Sequence, residues 1–177
     1  IGGKIIVRRA RKGEKILAID EKEYELDPSI LVIADAKRPV AIAGIMGGKE
    51  TEVTAKTKNI LLESASFDPL VIRRAGRKLG LKSDSSYRFE RGVDINGVER
   101  GSSRATALIL DSAGGVVRAR ADVFAQKQKK TKQQIKISLS QINESLGTKI
   151  SLSQCKTILR KLEFDVSGGT QNTMKIS

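Results

Sequence analysis

The chain has 177 residues, of which 39% are hydrophobic and 3% aromatic, and its formal net charge is +13 at pH 7. This apolar content is sufficient for a core, and no apolar run approaches the roughly 18 to 20 residues that span a bilayer. Histidine is absent and Cys155 is the one cysteine. These counts exclude an internal disulfide framework, the usual zinc sites and Ser–His or Cys–His catalytic pairs.

The positive charge favours a polyanionic partner. Lys and Arg neutralise phosphates and release counterions, which drives binding to nucleic acids. The alternative is a lysine-rich protein whose charge serves no particular partner. Neither end of the chain resembles a signal peptide, and we expect a piece of a longer, cytoplasmic protein without membrane contact.

The first third of the chain predicts short β-strands. Six segments are rich in β-branched residues and are separated by turn signals such as Lys12-Gly13 and Asp27-Pro28. The six predicted strands are residues 4–10, 15–19, 22–26, 30–35, 39–46 and 59–65.

A helix is predicted directly after these strands. Asp68 followed by Pro69 is typical of a helix start, and Gly80 is typical of a helix end. The apolar face of this helix is expected to comprise Leu70, Ile72, Ala75 and Leu79.

A second helix is predicted from near Ile95 to the pair Gly114-Gly115. Residues 116–124 then alternate between apolar and basic side chains, which predicts a returning strand.

Residues 126–134 are polar and basic without an apolar side chain, which is typical of an exposed linker. The sequence therefore predicts a first domain at residues 1–125 and a smaller unit at residues 135–177.

The smaller unit predicts two short helices joined by a turn at Gly147. Ser151 and Gln154 have the spacing of a capping box in front of the second helix, and capping also explains why "SLSQ" occurs twice. The final residues are expected to form the first arm of a hairpin.

A glycine turn and a carboxylate are the first candidate site. An apolar run enters the turn that contains Gly44, Gly47 and Gly48, where the missing Cβ atoms allow backbone N–H groups to approach a ligand. The alternative is an ordinary hairpin or crossover turn. Glu63 ends the apolar strand predicted at residues 59–65, where a carboxylate without a partner is costly. It is either a ligand-binding group or an outward-facing strand residue.

The loop after Gly80 is the second candidate site. Its small hydroxyl side chains, including Ser83 and Ser85, suit hydrogen bonds to a polar substrate. The alternative is a plain connection between elements, capped by Asp84.

Basic side chains form the third candidate site. Four lie on one face of the first helix and two lie in the loop beyond it. Positively charged side chains, and guanidinium groups in particular, bind phosphates. The alternatives are a solvated helix face and a structural salt bridge between Glu90 and Arg91. The candidate RNA-binding residues are Arg73, Arg74, Arg77, Lys78, Arg88 and Arg91.

These segments together resemble a known family. The order of "AGIMGG", then "ILLESASFDPLVIRRAGRKLGLKSDSSYRFERGVD", then a helix and a glycine pair closely resembles the beta subunit of bacterial phenylalanine–tRNA ligase, in the module that removes mischarged tyrosine from tRNA. The resemblance covers residues 1–125, and residues 135–177 look like the start of the next module. It implies an α+β fold, a mostly antiparallel sheet with two packed helices, followed by a truncated winged-helix-like piece.

The resemblance also implies roles for individual residues. Glu63 aligns with the carboxylate that reads the phenol hydroxyl of tyrosine, which a site needs if it is to accept tyrosine and ignore phenylalanine. Gly44, Gly47 and Gly48 align with the turn that approaches the amino acid. Ser83 and Ser85 fall where the family commonly has Thr and Ala, so the fine specificity is open.

The implied function is hydrolysis of tyrosyl-tRNA(Phe) in support of phenylalanine–tRNA ligation. No residue is assigned as catalytic, and we expect a water positioned by the pocket and by the terminal ribose of the tRNA. The resemblance implies an alpha subunit as partner in a heterotetramer, with the ATP and magnesium of ligation bound outside this chain. The alternative is a tRNA-positioning module without editing activity, and a weaker one is DNA binding by the helix pair of the smaller unit.

Overall fold

The structure is a computed structural model that describes residues 2–124, 134–168 and 173–177. The chain divides into two compact units, residues 1–120 and residues 121–177. The predicted linker tract at residues 126–134 lies almost wholly outside the described residues.

A four-stranded antiparallel sheet is the centre of the first unit. Its strands lie in the order β1 (Ile6–Arg9), β4 (Leu31–Ala34), β5 (Pro39–Ile42) and β6 (Met46–Gly47). Because β4 is flanked on both sides by strands, it is apolar throughout and three of its four residues are buried.

A separate antiparallel pair, β2 (Glu14–Leu17) and β3 (Glu23–Leu26), completes the strands of this unit. Its register places Ile16 opposite Tyr24. Ile16 and Leu26 point into the same core as the four-stranded sheet.

Helix α1 (Pro69–Leu79) closes that core. The Asp68 carboxylate accepts hydrogen bonds from the backbone N–H groups of Leu70 and Val71, and Gly80 ends the helix with φ +64°, as predicted. Ile72 and Ala75 are buried against the strands. Leu70 was expected on this buried face, but it is 55% exposed.

Helix α2 (Asp84–Phe89) follows after a short connection and packs against α1. The cap of α2 is Ser83, whose hydroxyl accepts a hydrogen bond from the backbone N–H of Ser86, so the expectation of Asp84 as the cap is wrong. Helix α3 (Gly97–Ala113) begins within two residues of the predicted start and ends at Gly114 as predicted. Unlike α1, helix α3 contributes no buried residue.

Two predicted strands are absent from the described residues. Residues 59–65 and residues 116–124 are assigned to neither a strand nor a helix. A strand needs a neighbour that completes its backbone hydrogen bonds, and apolar alternation alone does not supply one.

The second unit contains three antiparallel strands and two helices. Strand β7 (Ile135–Ser138) pairs with β9 (Thr173–Ile176), which pairs in turn with β8 (Val166–Ser167). The sequence did not predict β7. The expectation of a single hairpin arm is also wrong, since β8 and β9 supply both arms within the chain.

The helices of the second unit are α4 (Leu139–Leu146) and α5 (Leu152–Lys161). The Ser151–Gln154 capping box is confirmed, and Ser138 with Gln141 forms a second one, which confirms that capping explains the repeated "SLSQ". Cys155, Met174 and Ile176 form the buried core. The α+β class with antiparallel sheets is confirmed, whereas the winged-helix likeness remains an expectation.

Candidate functional site

A concave cavity of about 330 Å³ lies beside the glycine turn of the first unit. Three segments distant in sequence meet there: the β5–β6 connection, the segment at residues 59–65 that contains Glu63, and the start of α2. The lining includes five of the six predicted substrate-binding residues, namely Gly44, Gly47, Glu63, Ser83 and Ser85.

Gly44 is required by the geometry of the cavity wall. It has φ +66° and lies in a turn that is closed by the Ile45 N–H donating to the Ile42 carbonyl over 3.0 Å. A Cβ built on Gly44 would lie 2.9 Å from the Phe67 ring and 3.1 Å from the Ile72 side chain. Glycine is therefore demanded here by backbone conformation and by core packing as well as by any ligand.

The two glycines after it have different surroundings. A Cβ on Gly47 would meet only Ile19, at 3.8 Å, so the backbone of Gly47 faces the open cavity. Gly48 does not line this cavity. Its N–H donates to the Val40 carbonyl over 2.8 Å, and a Cβ on Gly48 would lie 2.7 Å from that same oxygen. The structure therefore gives Gly48 a strand-packing position rather than an approach to a ligand.

Gly48 borders a second, smaller groove of about 210 Å³ between β2 and β5. The charged side chains at its rim are already matched, because Lys15 pairs with Glu23 and Arg38 pairs with Glu50. The larger cavity is the better candidate, since it brings the predicted segments together.

Ser83 and Ser85 fix the glycine turn in place. The Ser83 hydroxyl donates to the Ile45 carbonyl over 2.6 Å, and the Ser85 hydroxyl donates to the Gly44 carbonyl over 3.1 Å. Their hydroxyl protons are thus used within the protein, so these bonds position the turn, and the role of the two serines in substrate binding stays a prediction. The hydroxyl that Ser85 adds to the cavity wall contacts backbone, and its lone pairs remain as acceptors.

The segment at residues 59–65 contributes one carboxylate to the cavity wall, that of Glu63. The residue is solvent-exposed, but its carboxyl lies against the cavity wall, where desolvation raises its pKa above the ordinary value. No hydrogen bond or ion pair to Glu63 occurs among the residues that the structure describes. A carboxylate with raised proton affinity and no hydrogen-bond partner within the described residues can accept a hydrogen bond from a ligand hydroxyl.

The basic residues on α1 divide into two pairs. Arg73 is half-buried and donates to the Glu90 carbonyl over 2.9 Å, and Lys78 pairs with Asp27 at 2.5 Å. Lys78 and Ser29 together lower the pKa of Asp27 to about 2. Arg74 and Arg77 are exposed and have no ion-pair partner within the described residues. Of the four basic residues on α1, Arg74 and Arg77 are therefore the two that are exposed and without an ion-pair or hydrogen-bond partner among the described residues.

The basic residues on and after α2 also have internal partners. Arg88 donates to the Asp84 carbonyl over 2.8 Å. The predicted structural contact between Arg91 and Glu90 is present at 2.8 Å, and the Arg91 guanidinium also lies 3.6 Å from the centroid of the Tyr87 ring.

Six residues of the cavity wall were not among the predicted substrate-binding residues, namely Ile19, Ala41, Ile42, Ile45, Met46 and Asp84. Ile19 and Met46 provide apolar surface, and Asp84 adds a second carboxylate. Ile19 follows strand β2, and its N–H bonds to the Gly47 carbonyl over 3.0 Å. No local pattern signals that contact, because it joins residues that are 28 positions apart.

Two further searches of the described ranges are negative. No group of three or more His, Cys, Asp and Glu side chains there is arranged to hold a metal ion. In the same ranges, no helix combines the length and apolarity that crossing a bilayer requires.

Comparison with known proteins gives the same assignment as the motifs. The B3/4 domain family matches residues 1–114. The beta subunit of phenylalanine–tRNA ligase from Moorella thermoacetica is 48% identical over 94% of this chain, and those from Aquifex aeolicus and Protochlamydia amoebophila are 52% and 43% identical over 75% and 99% of it. The chain spans about a fifth of the length of these relatives, 17% to 22%. The expected resemblance is confirmed, and the chain belongs to the B3/4 domain family.

Proposed function

We propose that the cavity recognises the tyrosine of mischarged tyrosyl-tRNA(Phe) and that this chain is the part of a phenylalanine–tRNA ligase that hydrolyses it. The observation that carries the proposal is the meeting of Gly44, Gly47 and Glu63 at one cavity. About 330 Å³ lies at the lower end of the range for ligand pockets, about 300 to 1,000 Å³, which suits a single amino acid.

Glu63 supplies the discrimination in this proposal. The phenol hydroxyl of tyrosine donates to the carboxylate, whereas phenylalanine leaves the same desolvated group without a partner. Ile19, Ile45 and Met46 supply apolar surface for the ring.

The remaining residues position the backbone. Ser83 and Ser85 hold the carbonyls of the glycine turn toward α2, so the turn keeps its shape when the cavity fills. The chain offers no histidine as a general base. We therefore assign hydrolysis to a water that is positioned by the cavity and by the ribose hydroxyl of the tRNA.

The proposal extends to the full-length protein to which this chain would belong, a ligase like the named relatives. That protein is a cytoplasmic ligase with an alpha subunit as partner, and it binds ATP and magnesium for ligation outside this chain. Arg74 and Arg77 support tRNA binding, because their charges are exposed and unpaired within the described residues.

The test is deacylation of preformed tyrosyl-tRNA(Phe) and phenylalanyl-tRNA(Phe) by the ligase that carries the full-length subunit. Glu63→Ala is expected to reduce the preference for tyrosyl-tRNA by about 1 to 3 kcal/mol, the usual cost when one partner of a desolvated hydrogen bond is removed. Glu25→Gln is the matched control, since Glu25 is exposed on β3 and away from the cavity.

Two outcomes would contradict the proposal in different ways. An unchanged preference in Glu63→Ala would remove the recognition role of Glu63. Absence of deacylation in the unmodified ligase would favour the second candidate, a module that positions tRNA by Arg74 and Arg77 without hydrolysing it.

A further inference from the structure

Tyr87 is an aromatic side chain that the proposed reaction leaves without a role. It is 60% exposed, although the chain has only two tyrosines and four phenylalanines. The other residues of this type in the first unit's core are committed: Phe67 and Phe89 pack on each other with centroids 5.0 Å apart, and the Tyr24 hydroxyl donates to Asp20.

The Arg91 guanidinium lies over the Tyr87 ring and is held there by further hydrogen bonds. It lies 3.6 Å from the centroid of the Tyr87 ring and donates to the Tyr87 carbonyl over 2.7 Å and to Glu90 over 2.8 Å. The Arg91 side chain is still 51% exposed. The pair therefore presents two surfaces to solvent, the outer side of the guanidinium and the uncovered part of the ring.

The position of this pair relates it to the cavity. The Tyr87 N–H donates to the Ser83 carbonyl over 2.9 Å, so Tyr87 lies one helical turn from a residue of the cavity wall. One turn is about 5 to 6 Å along a helix. In an aminoacylated RNA the amino acid and the terminal base are attached to the same ribose, so the two are also close neighbours.

We propose that Tyr87 and Arg91 form a stacking platform for the terminal nucleobase of a single-stranded RNA whose amino acid enters the cavity. Bases stack on aromatic rings and on arginine planes in single-stranded RNA recognition. The surrounding charge suits RNA, because Lys82 before α2 and Arg88 on α2 are both exposed and the chain carries a net charge of +13. This inference rests on the proposed function in one respect, namely that the amino acid end of the RNA lies in the cavity.

The platform changes the role expected for Arg91. A phosphate contact would need a guanidinium free to turn toward the backbone, whereas this one is fixed by a ring, a carbonyl and a carboxylate. Stacking uses the fixed plane as it stands, and it reads the presence of a base without reading its identity.

The experiment compares four short RNAs on the ligase that carries the full-length subunit. Each is a labelled single-stranded tetranucleotide, with adenine or no base on its terminal ribose, and with or without tyrosine joined to that ribose by a non-hydrolysable amide. The affinity ratio between the RNA with the base and the abasic RNA isolates stacking.

Tyr87→Leu is expected to lower binding of the RNA that has the base by about 5- to 150-fold, the range that base–aromatic stacking supplies. Binding of the abasic RNA is expected to change little, so the ratio falls toward one. Tyr87→Phe should preserve the ratio, and Arg91→Lys, which keeps the charge but loses the plane, should reduce it. Arg104→Lys, at an exposed arginine of α3, is the matched control.

A ratio near one in the unmodified protein, or an equal loss for both RNAs in Tyr87→Leu, would overturn the platform. The tyrosine-bearing pair keeps this result separate from the proposed function. If attached tyrosine adds no affinity while the base ratio still depends on Tyr87, the cavity assignment fails and the platform stands.

Discussion

Two regions of the first unit have similar sequence patterns and very different packing. The packed region, residues 2–51 and 67–92, contains every buried residue of this unit among those described. The open region, residues 52–66 and 93–120, contains none. Yet the open region has apolar side chains in number, including Ile60, Leu61, Leu108 and Val116.

The difference shows that an amphipathic pattern predicts a buried face only if a complementary surface exists. Helix α1 buries Ile72 and Ala75 because β4 and β5 present an apolar sheet face to it. Helix α3 spans 17 residues, but the Asn96 side chain makes no capping hydrogen bond at its start. Its contacts with the rest of the first unit are sparse, such as the Ser64 hydroxyl donating to the Val98 carbonyl over 2.8 Å. Most helical stability in proteins comes from packing.

The largest expected effect comes from equal truncations in the two regions. Ile72→Ala is expected to cost about 2 to 5 kcal/mol, since it removes a fully buried side chain from the core and leaves a cavity. Leu108→Ala, at a side chain that is 48% exposed, should cost well under half of that. The free energies are measured by hydrogen exchange of the β4 and β5 backbone amides. Similar costs for the two variants would contradict the division into a packed and an open region.

The next effect comes from two glycines with positive φ, one in the cavity wall and one at an open helix end. Gly44 has φ +66° and Gly80 has φ +64°, so at either position a positive φ costs alanine about 1 to 2 kcal/mol. A Cβ at Gly44 also meets Phe67 and Ile72, whereas a Cβ at Gly80 meets nothing within 4 Å. Gly44→Ala should therefore destabilise the protein more than Gly80→Ala in the same exchange measurement. Equal losses would mean that the wall around Gly44 yields without cost.

The smallest effect concerns Glu63, where the open region borders the cavity of the packed region. Its pKa in the folded protein is raised by desolvation, so the folded state binds a proton more tightly than the unfolded state. The stability contribution is therefore present at low pH and is lost as pH rises from the ordinary glutamate value through the raised one. Glu63→Gln should flatten the pH dependence of unfolding in that window, measured in urea at a series of pH values.

The same titration bears on the proposed recognition of tyrosine. The carboxylate form accepts the phenol proton, so the preference for tyrosyl-tRNA should decline as pH falls through the raised pKa of Glu63. Glu63→Gln should lose this acidic limb. A preference that is independent of pH in the unmodified protein would separate Glu63 from recognition.

The sequence by itself determined the features that depend on neighbours within a few residues. The start of α1 at Asp68 and Pro69, its end at Gly80 and the capping box of Ser151 with Gln154 are confirmed, because each arises from hydrogen bonds across one helical turn. The motifs were also sufficient to indicate the family, and five of the six predicted substrate-binding residues line one cavity.

Only the tertiary structure decided which of those residues face the cavity and which elements gain partners. Residues 59–65 carry a strand-like pattern but find no neighbouring strand. Gly48 lies beside Gly47, yet contact with the Val40 carbonyl, eight residues away, turns it to a packing role. The hydroxyls of Ser83 and Ser85 donate to carbonyls 38 and 41 positions away. These outcomes depend on which atoms come into contact between segments that are far apart in sequence, and the residues of one segment alone do not predict such contacts.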